Sequence, residues 1–105
     1  MKEKYINIPL KILSNENLNS NDKIIYGIIS NWSKKMGWCY ITNKKISKMM
    51  NITEKTTQNS INNLIKYNLI EKNKTKKGKK VIRILKPTNT KEIKEFIEYD
   101  WLSDT

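Results

Sequence analysis

Apolar residues fall at helical spacing in four stretches of this chain, with short extended runs between them. Ile24, Ile25, Ile28, Ile29 and Trp32 sit at i, i+1, i+4, i+5 and i+8, one face of a helix. Ser20 is the expected N-cap, with Asp22 favourably placed in the first turn. Lys34, Lys35 and Gly37 are stop signals, so this helix should end near Ser33. Trp38–Ile41 has strand character. Thr42 should cap a second helix, Asn43–Met50, whose apolar face is Ile46, Met49 and Met50. Asn51 can take the left-handed conformation that ends it. Ile52 plugs the turn, and Thr53 should cap a third helix from Glu54 to about Tyr67. Its inner face is Thr57, Ile61, Leu64 and Ile65, with Asn68 a second candidate C-cap. Ile70–Lys74 and Lys80–Leu85 then predict a hairpin with Gly78 in its loop. Upstream of all this, Tyr5–Leu13 reads as a short extended piece and a turn. After Pro87, Ile93, Phe96, Ile97 and Trp101 predict a fourth helix within Lys91–Leu102.

Helix, strand, helix, turn, helix, strand, basic loop, strand is the order of a winged helix-turn-helix. The expected fold class is therefore mainly α with a small antiparallel β-sheet, plus a short C-terminal helical tail. At 105 residues the chain has room for one domain with one modest core. The boundary is expected near Pro87: residues 1–86 as the winged helix-turn-helix, residues 87–105 as an acidic, aromatic-containing tail.

Charge sharpens the reading. The net charge is +11. Residues 1–86 hold 19 basic and 5 acidic residues, a surplus of 14, while residues 87–105 hold 2 basic and 5 acidic, a deficit of 3. Residues 72–80 carry six lysines and no acid. A loop this basic repels itself unless an anion lies against it, and a phosphate backbone is the natural candidate. Ile, Asn and Lys number 17, 14 and 20, with a single Arg, which is the codon bias of an AT-rich genome.

Other function classes lose ground. The chain has no histidine, the usual general base and metal ligand. Cys39, the one cysteine, has no His partner and reads as a small packed residue. No glycine cluster cradles a phosphate. The chain is expected to be no enzyme, with no cofactor and no metal. One cysteine precludes an intramolecular disulfide, and no apolar run reaches the length of a membrane span, so the expectation is a cytoplasmic protein without membrane association.

The resemblance goes beyond element order. Tyr5, Ile6, Ile8 and Pro9, followed by Leu18, Ser20, Lys23 and Tyr26, resemble the N-terminal signature of winged helices in Gram-positive plasmid and phage replication proteins. Ile46–Thr53 with Thr57, Ile61, Leu64, Leu69 and Ile70 is similar to that family's helix-turn-helix core. Thr57 departs from it, standing where the family usually has an aliphatic residue. Small accessory DNA-binding proteins of conjugative plasmids have a similar build. The resemblance implies a DNA-binding protein of a mobile element, acting at an origin of transfer or replication or at an operator, with a replication or conjugation protein as a further partner. The competing class is a protein–protein module, such as a phage inhibitor, that sets its basic surface against an acidic partner.

Within that frame, Lys72, Lys74, Lys76, Lys77, Lys79 and Lys80 are expected to meet phosphates of double-stranded DNA as the wing. Arg83, between Ile82 and Ile84, is either a guanine reader or the partner of an acid such as Glu71. Lys55, Thr56, Asn59, Asn62, Asn63 and Lys66 point away from the core face of the third helix. Together with the flanking Gln58 they form the candidate groove-facing set, in which Gln58, Asn59 and Asn63 could pair with adenine. An ordinary polar face in an Asn-rich chain is the plainer account of each. Lys44, Lys45 and Lys48 could touch the backbone or be solvated surface. The tail's apolar stripe either packs back on the first helix or makes a homodimer or partner contact, the homodimer being preferred because two wings double the readout. A second candidate dimer surface is Tyr5, Ile6, Ile8 and Leu10.

Overall fold

The computed structural model describes residues 6–88. Six elements follow in order: α1 (Leu10–Leu13), α2 (Ser20–Met36), α3 (Asn43–Met50), α4 (Glu54–Lys66), β1 (Ile70–Lys77) and β2 (Lys80–Pro87). This is the mainly α fold with a two-stranded antiparallel sheet that the hydrophobic pattern predicts. The expected C-terminal helix with Ile93, Phe96, Ile97 and Trp101, and Tyr5 at the other end, lie outside the described residues.

The core forms where three helices and the base of the hairpin meet. Ile25, Tyr26 and Ile29 from α2, Ile46 from α3, Ile61 and Leu64 from α4, and Ile70 and Leu85 from the strands are all essentially inaccessible to solvent. Small polar residues let the helices approach. Thr57 and Ser60 are buried on α4, and the Thr57 hydroxyl donates to the Thr53 carbonyl at 3.1 Å. A threonine thus occupies an inner position without an orphaned polar group.

Local signals set the helix ends. Thr42 Oγ1 accepts from Lys45 N at 3.1 Å, and Thr53 Oγ1 accepts from Thr56 N at 3.0 Å, each capping its helix. Asn51 (φ 58°) and Asn68 (φ 60°) both adopt the left-handed conformation. Behind Asn68, Leu69 N bonds Leu64 O at 2.9 Å and Asn68 N bonds Ile65 O at 2.9 Å, the paired bonds of a Schellman ending. Ile52 N reaches Ser47 O at 3.0 Å in the corresponding way, which fixes the angle of the turn between α3 and α4.

Several expectations are corrected. Asn19, not Ser20, caps α2: Asn19 Oδ1 accepts from Asp22 N at 2.8 Å, and Asp22 Oδ2 accepts from Asn19 N at 3.1 Å. A reciprocal box needs an acceptor three residues after the cap. Asp22 provides it for Asn19, whereas Ser20 would face Lys23. The helix also runs on to Met36. The turn expected after the extended start of Tyr5–Leu13 is a single helical turn, Leu10–Leu13. Trp38–Ile41 makes one isolated bridge, Cys39 with Leu85, rather than a strand. Ile24 and Met49 sit on the predicted apolar faces yet are exposed, because each apolar stripe is wider than the surface its neighbours cover. Trp32 packs against the core from its edge and stays partly exposed.

The hairpin is longer than predicted. Strands of eight residues pair from Ile70 with Pro87 to Lys77 with Lys80, leaving Gly78 and Lys79 as a two-residue connection. Positive φ falls on the first of these, Gly78 (66°), where a type II′ turn places its glycine. Near the N-terminus Ile6 and Ile8 lie against Gly27 of α2: a Cβ there would come within 2.9 Å of Ile6 Cδ1 and 3.0 Å of Ile8 Cγ1. That packing sets both isoleucines against their own chain, where each stays partly exposed.

Candidate nucleic-acid interface

Exposure along α4 defines one stripe. Lys55, Asn59, Asn62 and Lys66 are exposed at i, i+4, i+7 and i+11, opposite buried Thr57, Ser60, Ile61 and Leu64. Lys66 Nζ lies 5.5 Å from the centre of the Tyr67 ring. Thr56 is half-buried, and its Oγ1 accepts from Thr53 Oγ1 at 2.9 Å as part of the helix cap.

The two amides flanking this stripe are engaged within the protein. Asn63 does not point freely outward: its Nδ2 donates to Asp22 Oδ2 at 2.7 Å, tying α4 to the start of α2. Gln58 Oε1 accepts from Asn43 Nδ2 at 2.6 Å, and Gln58 Nε2 donates to Asn62 Oδ1 at 2.8 Å. Periodicity puts both on the outer half of the helix but carries no sign of partners 15 and 41 residues away. Asn62 belongs with the first rank of candidates on this face, and the 55, 59, 62, 66 spacing is the signal for it.

In the hairpin, Lys72, Lys74, Lys76, Lys77, Lys79 and Lys80 are all exposed. Antiparallel pairing sets directly opposed residues on one face. Lys72 opposes Leu85, Lys74 opposes Arg83 and Lys76 opposes Val81. Because Leu85 is buried in the core, these three lysines continue the helix-side face of the ribbon outward. Lys77 and Lys80 pair on the other face at the tip. From Lys72 to Thr88 the sequence contains no acid; Glu71, opposite Lys86 at the base, is the one acidic residue on the two strands.

Arg83 does not pair with Glu71. It is half-buried; Nη1 donates to Asn43 Oδ1 at 2.7 Å and Nη2 to the Ile41 carbonyl at 2.9 Å. One planar fork therefore clamps the ribbon to the N-terminus of α3. Lys86 adds a second attachment, its Nζ 4.5 Å from the Trp38 ring centre. The Cys39–Leu85 bridge, with N–O distances of 2.6 and 2.9 Å, is the third. Burial pushes the Arg83 guanidinium down from its ordinary value and the Cys39 thiol up. The arginine stays charged, and the thiol stays protonated and packed. Lys44, Lys45 and Lys48 are exposed on α3.

Among the described residues no group of three or more His, Cys, Asp or Glu side chains is arranged to hold a metal ion. No helix there is long and apolar enough to cross a membrane.

A family model described as a helix-turn-helix domain matches residues 16–70. Three solved structures share the fold. A possible transcriptional regulator from Methanosarcina mazei Go1 is 20% identical, with a TM-score of 0.57, over 83% of this chain and 70% of that one. The N-terminal domain of a DNA binding protein is 23% identical, with a TM-score of 0.58, over 93% and 86%. A Rep–DNA complex is 23% identical, with a TM-score of 0.56, over 93% and 87%. No match was found among curated proteins.

Proposed function

The chain belongs to this helix-turn-helix domain family, and we propose that it binds double-stranded DNA sequence-selectively and without catalysis. The observation that carries the reading is the conjunction of two surfaces. The α4 stripe offers two lysines and two amides, and the ribbon beside it offers six exposed lysines with no acid between Lys72 and Lys80. Arg83 holds the two together through the N-terminus of α3. In the groove-reading arrangement α4 enters the major groove while the ribbon lysines meet phosphates on the flanking backbone. Lys72, Lys74, Lys76, Lys77, Lys79 and Lys80 supply the sequence-independent share of affinity. Lys55, Thr56, Asn59, Asn62 and Lys66 face the bases and the adjoining backbone. Arg83, Gln58 and Asn63 shape the surface from within.

The biological setting follows from the sequence resemblance to plasmid and phage replication proteins and to conjugation accessory proteins, supported by the shared fold with the Rep of a Rep–DNA complex. The protein acts in the cytoplasm as an accessory factor of a mobile element, at an origin of transfer or replication or at an operator. It works as a homodimer, through residues 87–105, and alongside a replication or conjugation protein.

A mobility shift tests the core of the reading. The probe is AT-rich DNA from upstream of the gene, and the competitor is excess random duplex. A competitor-resistant band is expected. Its absence, with capture of an acidic protein instead, would transfer the basic surface to a protein partner.

A further inference from the structure

Four polar side chains from three elements form one directed line of hydrogen bonds. Arg83 Nη1 on β2 donates to Asn43 Oδ1 at 2.7 Å. Asn43 Nδ2 at the start of α3 donates to Gln58 Oε1 at 2.6 Å. Gln58 Nε2 donates to Asn62 Oδ1 at 2.8 Å, and Asn62 is exposed on the α4 stripe.

The direction is dictated by chemistry. A guanidinium has only donors, so the Asn43 atom facing it must be the carbonyl oxygen. Asn43 can then offer Gln58 only its NH2 group, so Gln58 must turn its oxygen inward. Gln58 is left with an NH2 for Asn62, whose oxygen must in turn face Gln58. Each amide alone could sit either way round. Arg83 also donates to the Ile41 carbonyl at 2.9 Å, which fixes the guanidinium itself.

We propose that this line sets the hydrogen-bonding sense of the base-reading surface, making Asn62 an outward donor. The inference rests on the DNA-binding reading above. With its oxygen already accepting from Gln58, Asn62 projects an NH2 group toward whatever lies in the groove. A base presenting a keto oxygen there, guanine O6 or thymine O4, satisfies it. A base presenting an amino group, adenine N6 or cytosine N4, sets donor against donor. Where it meets the O6/N6 or O4/N4 position of a base edge and not a purine N7, Asn62 therefore selects keto over amino bases, and it does not make the two-bond adenine pairing expected of a free asparagine. Arg83 and Asn43 are positioning residues for this choice.

The line can be reversed without touching its exposed end. In Asn43→Asp the new carboxylate still accepts from Arg83 but can no longer donate. Gln58 then turns its NH2 inward and its oxygen toward Asn62, and Asn62 turns its own oxygen outward. Gln58→Glu has the same result by a different route, because a carboxylate at 58 accepts from both neighbours.

The test is selection of bound sites from a randomised duplex library with the full chain, followed by sequencing. Wild type is expected to prefer G or T at one position by about tenfold, the scale of one discriminating base contact. Asn43→Asp and Gln58→Glu should each shift that one position to A or C and leave the others unchanged, whatever the added charge does to overall affinity. Asn62→Asp, at an exposed site and with its acceptor toward Gln58 intact, should lose the keto preference even if the two inner variants fold poorly. Unchanged preference at every position in Asn62→Asp, or in inner variants that still enrich a site, overturns the relay and leaves DNA binding standing. No enrichment by the wild type overturns the DNA-binding reading itself, and the relay with it.

Discussion

Asn63 Nδ2 donates to Asp22 Oδ2 at 2.7 Å, and that aspartate is wholly buried. Asp22 Oδ2 also accepts the Asn19 amide that closes the α2 cap, while Asp22 Oδ1 has no partner among the described residues. One carboxylate thus starts α2 and anchors the C-terminal half of α4. Asn63→Ala removes a donor from a buried acceptor, a change that costs about 1–3 kcal/mol. Urea denaturation should show a lower midpoint with an unchanged slope. DNA affinity of the folded variant should stay close to that of the wild type, which a base-reading Asn63 would not permit.

The ribbon lysines lie on no buried surface, so their replacement should separate binding from folding. Lys76→Ala, Lys77→Ala and Lys79→Ala combined should leave thermal stability nearly unchanged, since exposed substitutions usually stay within about 0.5 kcal/mol each. Binding should weaken on all sequences alike. A plot of log K against log salt should flatten by about 0.9 for each phosphate no longer neutralised. Unaltered binding at physiological salt would remove the ribbon from the phosphates.

Arg83 behaves oppositely. Its two bonds end on Asn43 Oδ1 and the Ile41 carbonyl, both of which it serves from a half-buried position. Arg83→Lys keeps the charge but loses the two-pronged geometry. A loss of about 1.5–3 kcal/mol in stability is expected, the scale of a hydrogen bond to a charged group. DNA affinity should fall at the same time, because the ribbon is no longer held at a fixed angle to α3. A variant with normal stability and altered preference at a base position other than the one Asn62 touches would instead mark Arg83 as a direct reader.

Burial pushes the Tyr26 phenol up to about 12 from an ordinary 10. A raised folded-state value favours the neutral form in the native protein. Its stabilising contribution is therefore complete below pH 10 and is lost as pH rises from 10 toward 12. The full swing corresponds to about 2–3 kcal/mol. Tyr26→Phe should narrow the fall in stability across that window relative to wild type. The difference between the two proteins is the quantity to read.

Features decided within a few residues are legible in the chain. The two threonine caps, the two left-handed asparagines and Gly78 each depend on neighbours no more than about five positions away, and the sequence contains those neighbours in order. The exposed lysines of the hairpin are legible because their exposure needs no partner inside the protein. What periodicity misses depends on distant chain. Asn63 and Arg83 find partners 41 and 40 residues away, so no local spacing could reveal that they face inward. Asn19 displaces Ser20 as the cap because Asp22 can reciprocate. Ile24 and Met49 show the limit of an apolar stripe: it gives the side of a helix that packs, but not how far the packing neighbour extends.

The ribbon has a further physical consequence. Every residue from Glu71 to Val81 is exposed, so the outer pairs of the hairpin are held by backbone bonds alone, with six like charges working against them. A two-stranded ribbon without a buried face is marginal in water. Amide hydrogens should accordingly exchange with solvent along a gradient, slowest near Leu85 and fastest toward Lys80. A polyanion that neutralises the lysines removes the strain of their mutual repulsion and should slow exchange at the tip more than in the helices. The ligand would then complete the ordering of the surface that grips it, and part of the binding energy would go into finishing the fold.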